Sequence, residues 1–290
     1  MVTPRQYTSA KALRTALEAR LLERAKRNDE DLQRLRRQVA FDRLLARLFS
    51  GDAAVRGWVL KGGYALELRF RQARTTRDLD LTVTGVGTDN GGVPIAELRN
   101  HLVRAGLIRL PDFFVFEVGD ATLELDQAPE GGARFPVDAR LDGRSFVKFH
   151  IDLGSGDAVL EPVDEIAGED WLGFAGIAPS VVPALSLEQH WAEKLHAYSR
   201  PREGRTNTRV KDLVDLVLLI ERETLSANRV RASVEATFER RRTHDVPQDL
   251  LPPPAEWSRP FAALAAECQL THTPETALGA VAAFWRSVRG

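Results

Sequence analysis

The stretch "RTTRDLDLTV", residues 74–83, sets two aspartates, Asp78 and Asp80, one residue apart inside an apolar, β-branched run. Read as a strand, it has a period of two, so both carboxylates project to one face and Leu79 and Leu81 to the other. Carboxylates are costly to desolvate unless something pairs with them. A lone Asp-x-Asp is more often the wet side of an edge strand than a cation site, so the surrounding sequence has to decide.

Upstream, "LKGGYALELR" (residues 60–69) reads as the end of a strand, Trp58–Leu60, a turn at Gly62–Gly63, and a helical segment, Tyr64–Phe70. Backbone N–H groups exposed between a strand and a helix start suit a phosphate. Downstream, "VKFHIDLGSG" (147–156) alternates, with Val147, Phe149 and Ile151 on one parity and Lys148, His150 and Asp152 on the other. A third carboxylate from a neighbouring strand would complete a cage. Magnesium binds carboxylate oxygens together with substrate phosphate oxygens. Metal ions held in this way activate an attacking oxygen and steady a leaving pyrophosphate.

Outward from this centre the chain is ordered in blocks. Leu13, Leu17 and Leu21, then Leu32, Leu35, Val39, Leu44, Leu45 and Leu48, keep a helical period, with "RNDED" between them as stop and new N-cap and Gly51 as the end of the block. "GVGTDNGGVP" is a loop and "IAELRNHLVRAGL" an amphipathic helix. From about residue 113 the period changes to two: "FFVFEV", "ATLELDQ", "RFPVDARL" and "SFVKFHIDL" are strands, with a hairpin turn at Asp142–Gly143. Past "APSVVPALS" the strand signal vanishes. "SLEQHWAEKLHAYS", "TRVKDLVDLVLLIERE", "SANRVRASVEATFERRR" and "PETALGAVAAFWRSVR" are helices, interrupted by the loop "VPQDLLPPPAEWSRP". The expected fold is α/β (α+β) with a mixed, largely antiparallel sheet, N-terminal helices and a C-terminal helical domain. The expected domains are residues 1–183 and 184–290.

At 290 residues, 43% hydrophobic and 28% charged, the chain has the composition of a globular protein. No apolar run spans a bilayer and the N-terminus does not read as a signal peptide, which places the expected protein in the cytoplasm. The single cysteine, Cys268, excludes an intrachain disulfide and reads as a packing residue near a helix end. The net charge of −1 conceals a partition. Residues 1–50 carry +6, residues 111–170 carry −11 and residues 194–245 carry +4. Basic faces set apart from an acidic middle are compatible with a polyanionic partner. "SRPREGRTNTRVK" and "ERRR" are its candidate contacts, weighed evenly against solvated loop and helix end. His150 reads as structural or as a partner of Asp152. His190 and His196 do not stack into a metal site. Trp171, Trp191, Trp257 and Trp285 read as packing residues.

Gly-Gly followed at a distance by Asp-x-Asp, with a later single Asp on another strand, resembles the DNA-polymerase-β-like nucleotidyltransferase superfamily. More narrowly, "KGGYALELR…RTTRDLDL" is similar to the AbiEii/AbiGii-type nucleotidyltransferase toxins of abortive-infection and toxin–antitoxin systems. Fourteen residues separate Gly63 from Asp78, a gap that suits this family. Its second motif matches Lys148 and Asp152, its third, Gln-x(4)-Lys, matches Gln189 and Lys194, and its fourth matches Asp212 and Asp215. The match covers roughly residues 60–220. Where many superfamily members carry Gly-Ser, this chain has Gly62–Gly63 followed by Tyr64. Phosphate contact would then fall to backbone amides, with Thr75 or Thr76 helping.

The resemblance implies a transferase using magnesium, or manganese in its place, with an NTP as substrate. Asp78, Asp80 and Asp152 would bind metal. Gly62, Gly63, Thr76, Gln189 and Asp215 would contact nucleotide, and Lys194 would neutralise the triphosphate. Asp215 is expected mainly as an ion-pair partner of Lys194 or Arg209, while Asp212 stays open between that role and a base. The acceptor implied is a tRNA 3′ end, with blocked aminoacylation as outcome and a cognate antitoxin as partner. An aminoglycoside-like small molecule or a protein hydroxyl is the alternative acceptor. A non-catalytic nucleotide or RNA binder is the reading from another class.

Overall fold

The computed structural model describes residues 6–49, 57–70, 72–84, 93–125, 128–202 and 204–290. Gly51 and the stretch 85–92 of the expected glycine-rich loop lie outside them.

The N-terminal helices follow their predicted periodicity. α1 (Ala10–Asn28) buries Leu13, Leu17 and Leu21 and ends where Asp29 turns left-handed. The Asp31 carboxylate then caps α2 (Leu32–Leu48), accepting from the backbone N–H groups of Gln33 and Arg34. α2 also buries charge that periodicity did not signal. Arg47 makes a two-pronged pair with Asp112 at 2.6 and 2.8 Å and lies over the Phe116 ring.

β1 (Trp58–Lys61) runs into α3 (Gly62–Arg69), β2 (Asp78–Val83) follows, and α4 (Ile95–Leu107) occupies the predicted residues. The strand block contains β3 (Val115–Val118), β4 (Leu123–Glu124), β5 (Gly132–Leu141) and β6 (Arg144–Ser155). Asp142 and Gly143 both have positive φ, 55° and 68°, as a tight hairpin between β5 and β6 requires.

Two strands were not anticipated: β7 (Asp164–Ala167) and β8 (Val181–Ala184), which lies parallel to β1. The sheet is mixed, in the order β3-β5-β6-β2-β1-β8-β7, with β4 paired to β5. β2 is central, antiparallel to β1 and parallel to β6.

The helical region contains α5 (Leu187–Ser199), α6 (Val210–Arg222), α7 (Ala227–Arg241), α8 (Ser258–Glu267) and α9 (Pro274–Arg289). α8 begins inside the loop predicted at "VPQDLLPPPAEWSRP". A short 3-10 turn over Ala255–Trp257 leads into it, so the three prolines before that turn mark its approach and not a continuing loop.

The chain divides into two compact units. The first comprises Met1–Leu68, Thr76–Gly156 and Glu165–Ala184; the second comprises Arg69–Thr75, Asp157–Asp164 and Leu185–Gly290. In the first, Phe41 of α2 meets Tyr64 of α3 and Phe149 of β6 edge-on, with ring centroids 4.9 and 4.8 Å apart. In the second, Trp191 of α5 packs on Phe284 and Trp285 of α9. Cys268 is fully buried, as a packing residue should be.

Phe41 is fully buried and joins two helices to the sheet. Phe41→Ala is expected to cost about 3–5 kcal/mol in urea unfolding, the usual result of emptying an aromatic site in a packed core.

Candidate active site

Asp78 and Asp80 occupy alternate positions of β2, while Leu79 and Leu81 are fully buried on the opposite face. Parallel pairing with β6 sets Asp80 beside Asp152 and Asp78 beside His150. Antiparallel pairing sets Lys61 beside Asp80 and Arg134 beside Asp152. One row across β5, β6, β2 and β1 therefore reads Arg134, Asp152, Asp80, Lys61, with all four side chains on one face. Arg134 closes on its neighbours. Its Nε and Nη2 donate to the two Asp152 oxygens at 2.7 Å each, and Nη2 also reaches Asp78 Oδ2 at 3.3 Å. Bonding to Asp152 raises the Arg134 pKa further above its ordinary value. His150 Nδ1 lies 3.6 Å from Asp78 Oδ1.

Gly62 enters α3 with φ +70°, and its α-carbon lies against Asp80. A methyl group there would fall within 2.6 Å of the Asp80 Cβ and closer still to the carboxylate. Glycine at 62 thus answers both a left-handed turn and a close approach to the acidic face. Gly63 follows as a buried residue of the first turn of α3. Thr76 is used locally: its N–H donates to Glu67 and its hydroxyl to the Asp78 carbonyl.

Three carboxylates on one face form an oxygen donor set suited to a hard divalent cation. Among the described residues, however, no three His, Cys, Asp or Glu side chains are placed to hold a metal ion. In the arrangement seen, the expected three-carboxylate cage is an arginine–carboxylate cluster. The Arg134 guanidinium supplies the positive charge that the acidic residues require.

A second ionic cluster lies in the helical unit. Lys194 of α5 is paired with Asp212 Oδ1 at 3.0 Å and Asp215 Oδ2 at 2.8 Å, both from α6. Arg74 takes both oxygens of Asp215, at 2.8 and 2.7 Å. Arg209 Nη1 stands 3.8 Å from Asp212. Burial works against the charges of Asp215, Lys194 and Arg74, and the pairing outweighs it. Asp215 stays ionised far below the usual aspartate range because of Arg74 and Lys194, and Asp215 and Asp212 hold Lys194 protonated above the usual lysine range. Gln189 is fully buried, and its amide donates to Thr237 Oγ1 of α7 at 2.8 Å.

Two residues of these clusters escaped the sequence reading. Arg74 opens the very run that carries Asp78 and Asp80, yet nothing in its spacing names Asp215 as its partner. Arg134 falls in the strand "RFPVDARL" on the parity of Pro136 and Asp138, and only the pairing of β5 with β6 places it beside Asp152.

The family model described as "Nucleotidyl transferase AbiEii toxin, Type IV TA system" matches residues 43–282. The chain belongs to the AbiEii family of nucleotidyltransferase toxins. No curated protein matches it in sequence. Its fold is similar to that of MenT4, the nucleotidyltransferase toxin Rv2826c from Mycobacterium tuberculosis H37Rv. The TM-score is 0.56 at 17% identity, over 94% of this chain and 96% of that one. JHP933 from Helicobacter pylori aligns with a TM-score of 0.47 at 16% identity, over 88% of this chain and 92% of its own. Membership in the AbiEii family makes an NTP the substrate and an antitoxin the partner, and no helix among the described residues is long and apolar enough to cross a membrane.

Gly62→Ala is expected to cost at least about 1 kcal/mol of stability, because alanine meets both a positive φ and Asp80. Chemical unfolding of the two proteins measures it. The Asp215 pairing gives a pH signature. Its folded pKa is depressed, so its contribution is complete above about pH 4 and is lost as pH falls below. Lys194 is raised, so its contribution is complete below about pH 10 and is lost above. Asp215→Asn should lower stability between those limits by about 3–5 kcal/mol, since it takes the carboxylate from buried Arg74 and leaves Lys194 with Asp212 alone. The gap from wild type should narrow below about pH 4 in unfolding curves recorded across pH.

Proposed function

We propose that this AbiEii-family protein transfers nucleotides from an NTP to the 3′ end of an RNA, the tRNA acceptor end being the target, so that aminoacylation and growth stop. The observation that carries the reading is the shared face of Asp78, Asp80 and Asp152 beside the glycine turn at Gly62. A carboxylate set next to the start of a helix is matched to a nucleotide's polyphosphate and its counter-ions.

In this reading Asp78, Asp80 and Asp152 hold magnesium, or manganese in its place. Bound there, the cation supplies positive charge for the triphosphate and lowers the pKa of an attacking hydroxyl. The acceptor oxygen forms a new bond to the α-phosphorus, the bond from that phosphorus to the bridging oxygen breaks, and pyrophosphate leaves. Gly62 and Gly63 offer backbone amides to phosphate oxygens, and Thr76 orders the lead-in to β2. Lys194 contributes charge toward the triphosphate. Asp215 and Gln189 act on nucleotide binding by fixing α5, where Lys194 stands. Asp212, at 3.0 Å from Lys194, is assigned to positioning that ammonium. In this reading the first compact unit is the transferase core and the second, which also takes Arg69–Thr75 and Asp157–Asp164, is the helical domain. The site of action is the cytoplasm, and the antitoxin neutralises the protein there.

Incubation with each labelled NTP, total RNA and magnesium is expected to put label in tRNA, and chelation of the divalent cation should abolish it. Asp80→Ala should reduce transfer by at least about a thousandfold, in line with the loss of a charge-stabilising group, and should abolish growth arrest. Label appearing in protein or in a small molecule instead would reassign the acceptor. A fully toxic Asp80→Ala protein would overturn the reading.

A further inference from the structure

We propose that Arg134 is the built-in occupant of the cation position: it holds Asp152 and Asp78 in place and yields to a divalent cation, so that it sets the protein's affinity for that cation. This rests on the metal chemistry of the proposed transferase and names a residue that none of the family's motifs matched here contains.

Geometry is the first argument. Arg134 engages both oxygens of Asp152 at 2.7 Å and one of Asp78 at 3.3 Å. A cation held by these two carboxylates would draw on oxygens that Arg134 now engages. A carboxylate already gripped by an arginine fork presents only its outer lone pairs.

Charge is the second argument. Asp78, Asp80 and Asp152 lie on one face, and Arg134 sits at one end of their cross-strand row. A divalent ion entering beside a fixed guanidinium meets repulsion that the carboxylates must overcome. An ion that displaces the guanidinium meets less, with Lys61 at the far end of the row. Arginine cannot shed its proton in the working pH range, so the position is cleared by movement of the side chain and not by titration.

Exposure is the third argument. The Arg134 side chain is 31% exposed, against 7% for Arg74, which makes the same two-pronged contact with fully buried Asp215. Arg134 thus has water on one side into which it can swing, and the charge it leaves behind is one a cation can replace.

Manganese binding to the full-length protein without nucleotide, followed by the electron paramagnetic resonance of the free ion, tests this. Arg134→Gln is expected to bind manganese at least tenfold more tightly than wild type. Arg134→Lys keeps the charge but loses the fork and should fall between the two, at least threefold tighter than wild type. Manganese should also raise the melting temperature of Arg134→Gln more than that of wild type. Should Arg134→Gln fail to fold, Arg134→Lys carries the test. A merely structural arginine would leave manganese affinity unchanged or weakened in both variants, and that result overturns the proposal. If that equal binding is lost in Asp80→Asn, the cation site stands and only the role of Arg134 falls. Absence of manganese binding in wild type and variants alike overturns both this inference and the metal-dependent reading.

Discussion

The candidate site depends on the register between β2 and β6. Leu79 and Leu81 on one strand, and Ile151 and Leu153 on the other, are all fully buried. They fix the pairing that puts Asp80 beside Asp152. A slip of one residue by either strand would send that strand's two buried side chains to the polar face. The acidic face is therefore specified by the apolar one. The core determines where the carboxylates stand. β1 and β5 complete the row with Lys61 and Arg134, so that a band of four strands carries positive, negative, negative and positive groups in line.

In the helical unit the logic is reversed, because the charges there are inside. Asp215 is fully buried, and Lys194 and Arg74 are nearly so. Taking such groups out of water costs several kcal/mol per ion, and good geometry recovers that cost without a reliable surplus. Apolar residues of similar size at these positions would serve stability as well. The surrounding helix makes the contrast plain: α6 otherwise buries Leu213, Val214, Leu216, Val217, Leu218 and Leu219. An ionic cluster kept in such company fixes the orientation of a lysine ammonium, as the role proposed for Lys194 requires.

Elements whose signal is local were legible in the sequence. The helix boundaries at Asn28 and Asp31, the Asp142–Gly143 hairpin and the span of α4 each follow from a cap, a turn dipeptide or a single uninterrupted period. The parity of Asp78 and Asp80 was equally readable, as was the suitability of Asp215 for an ion pair. β7 and β8 were not, because each is four residues long and β8 owes its conformation to a parallel partner far away in the chain. Arg74 and Arg134 were missed for a related reason. Alternation along a strand says which side chains share its faces, but not which strand or helix lies alongside. The partner of an isolated arginine is a property of topology.

Arg74 and Arg134 show how the same contact takes opposite roles in different surroundings. Each closes a planar fork on an aspartate, with distances of 2.7–2.8 Å. Around Asp215, burial keeps solvent from taking the place of Arg74, and Lys194 holds the same carboxylate from a second side, so the pair behaves as a rivet. Around Asp152, side chains that are 31% and 16% exposed keep the pair in contact with solvent. Solvent lowers the cost of parting and admits a competing ion. Geometry alone cannot tell a permanent ion pair from an exchangeable one. Burial can, and here it marks the sheet face as the place where a charge brought from outside can take over the work of a charge built into the chain.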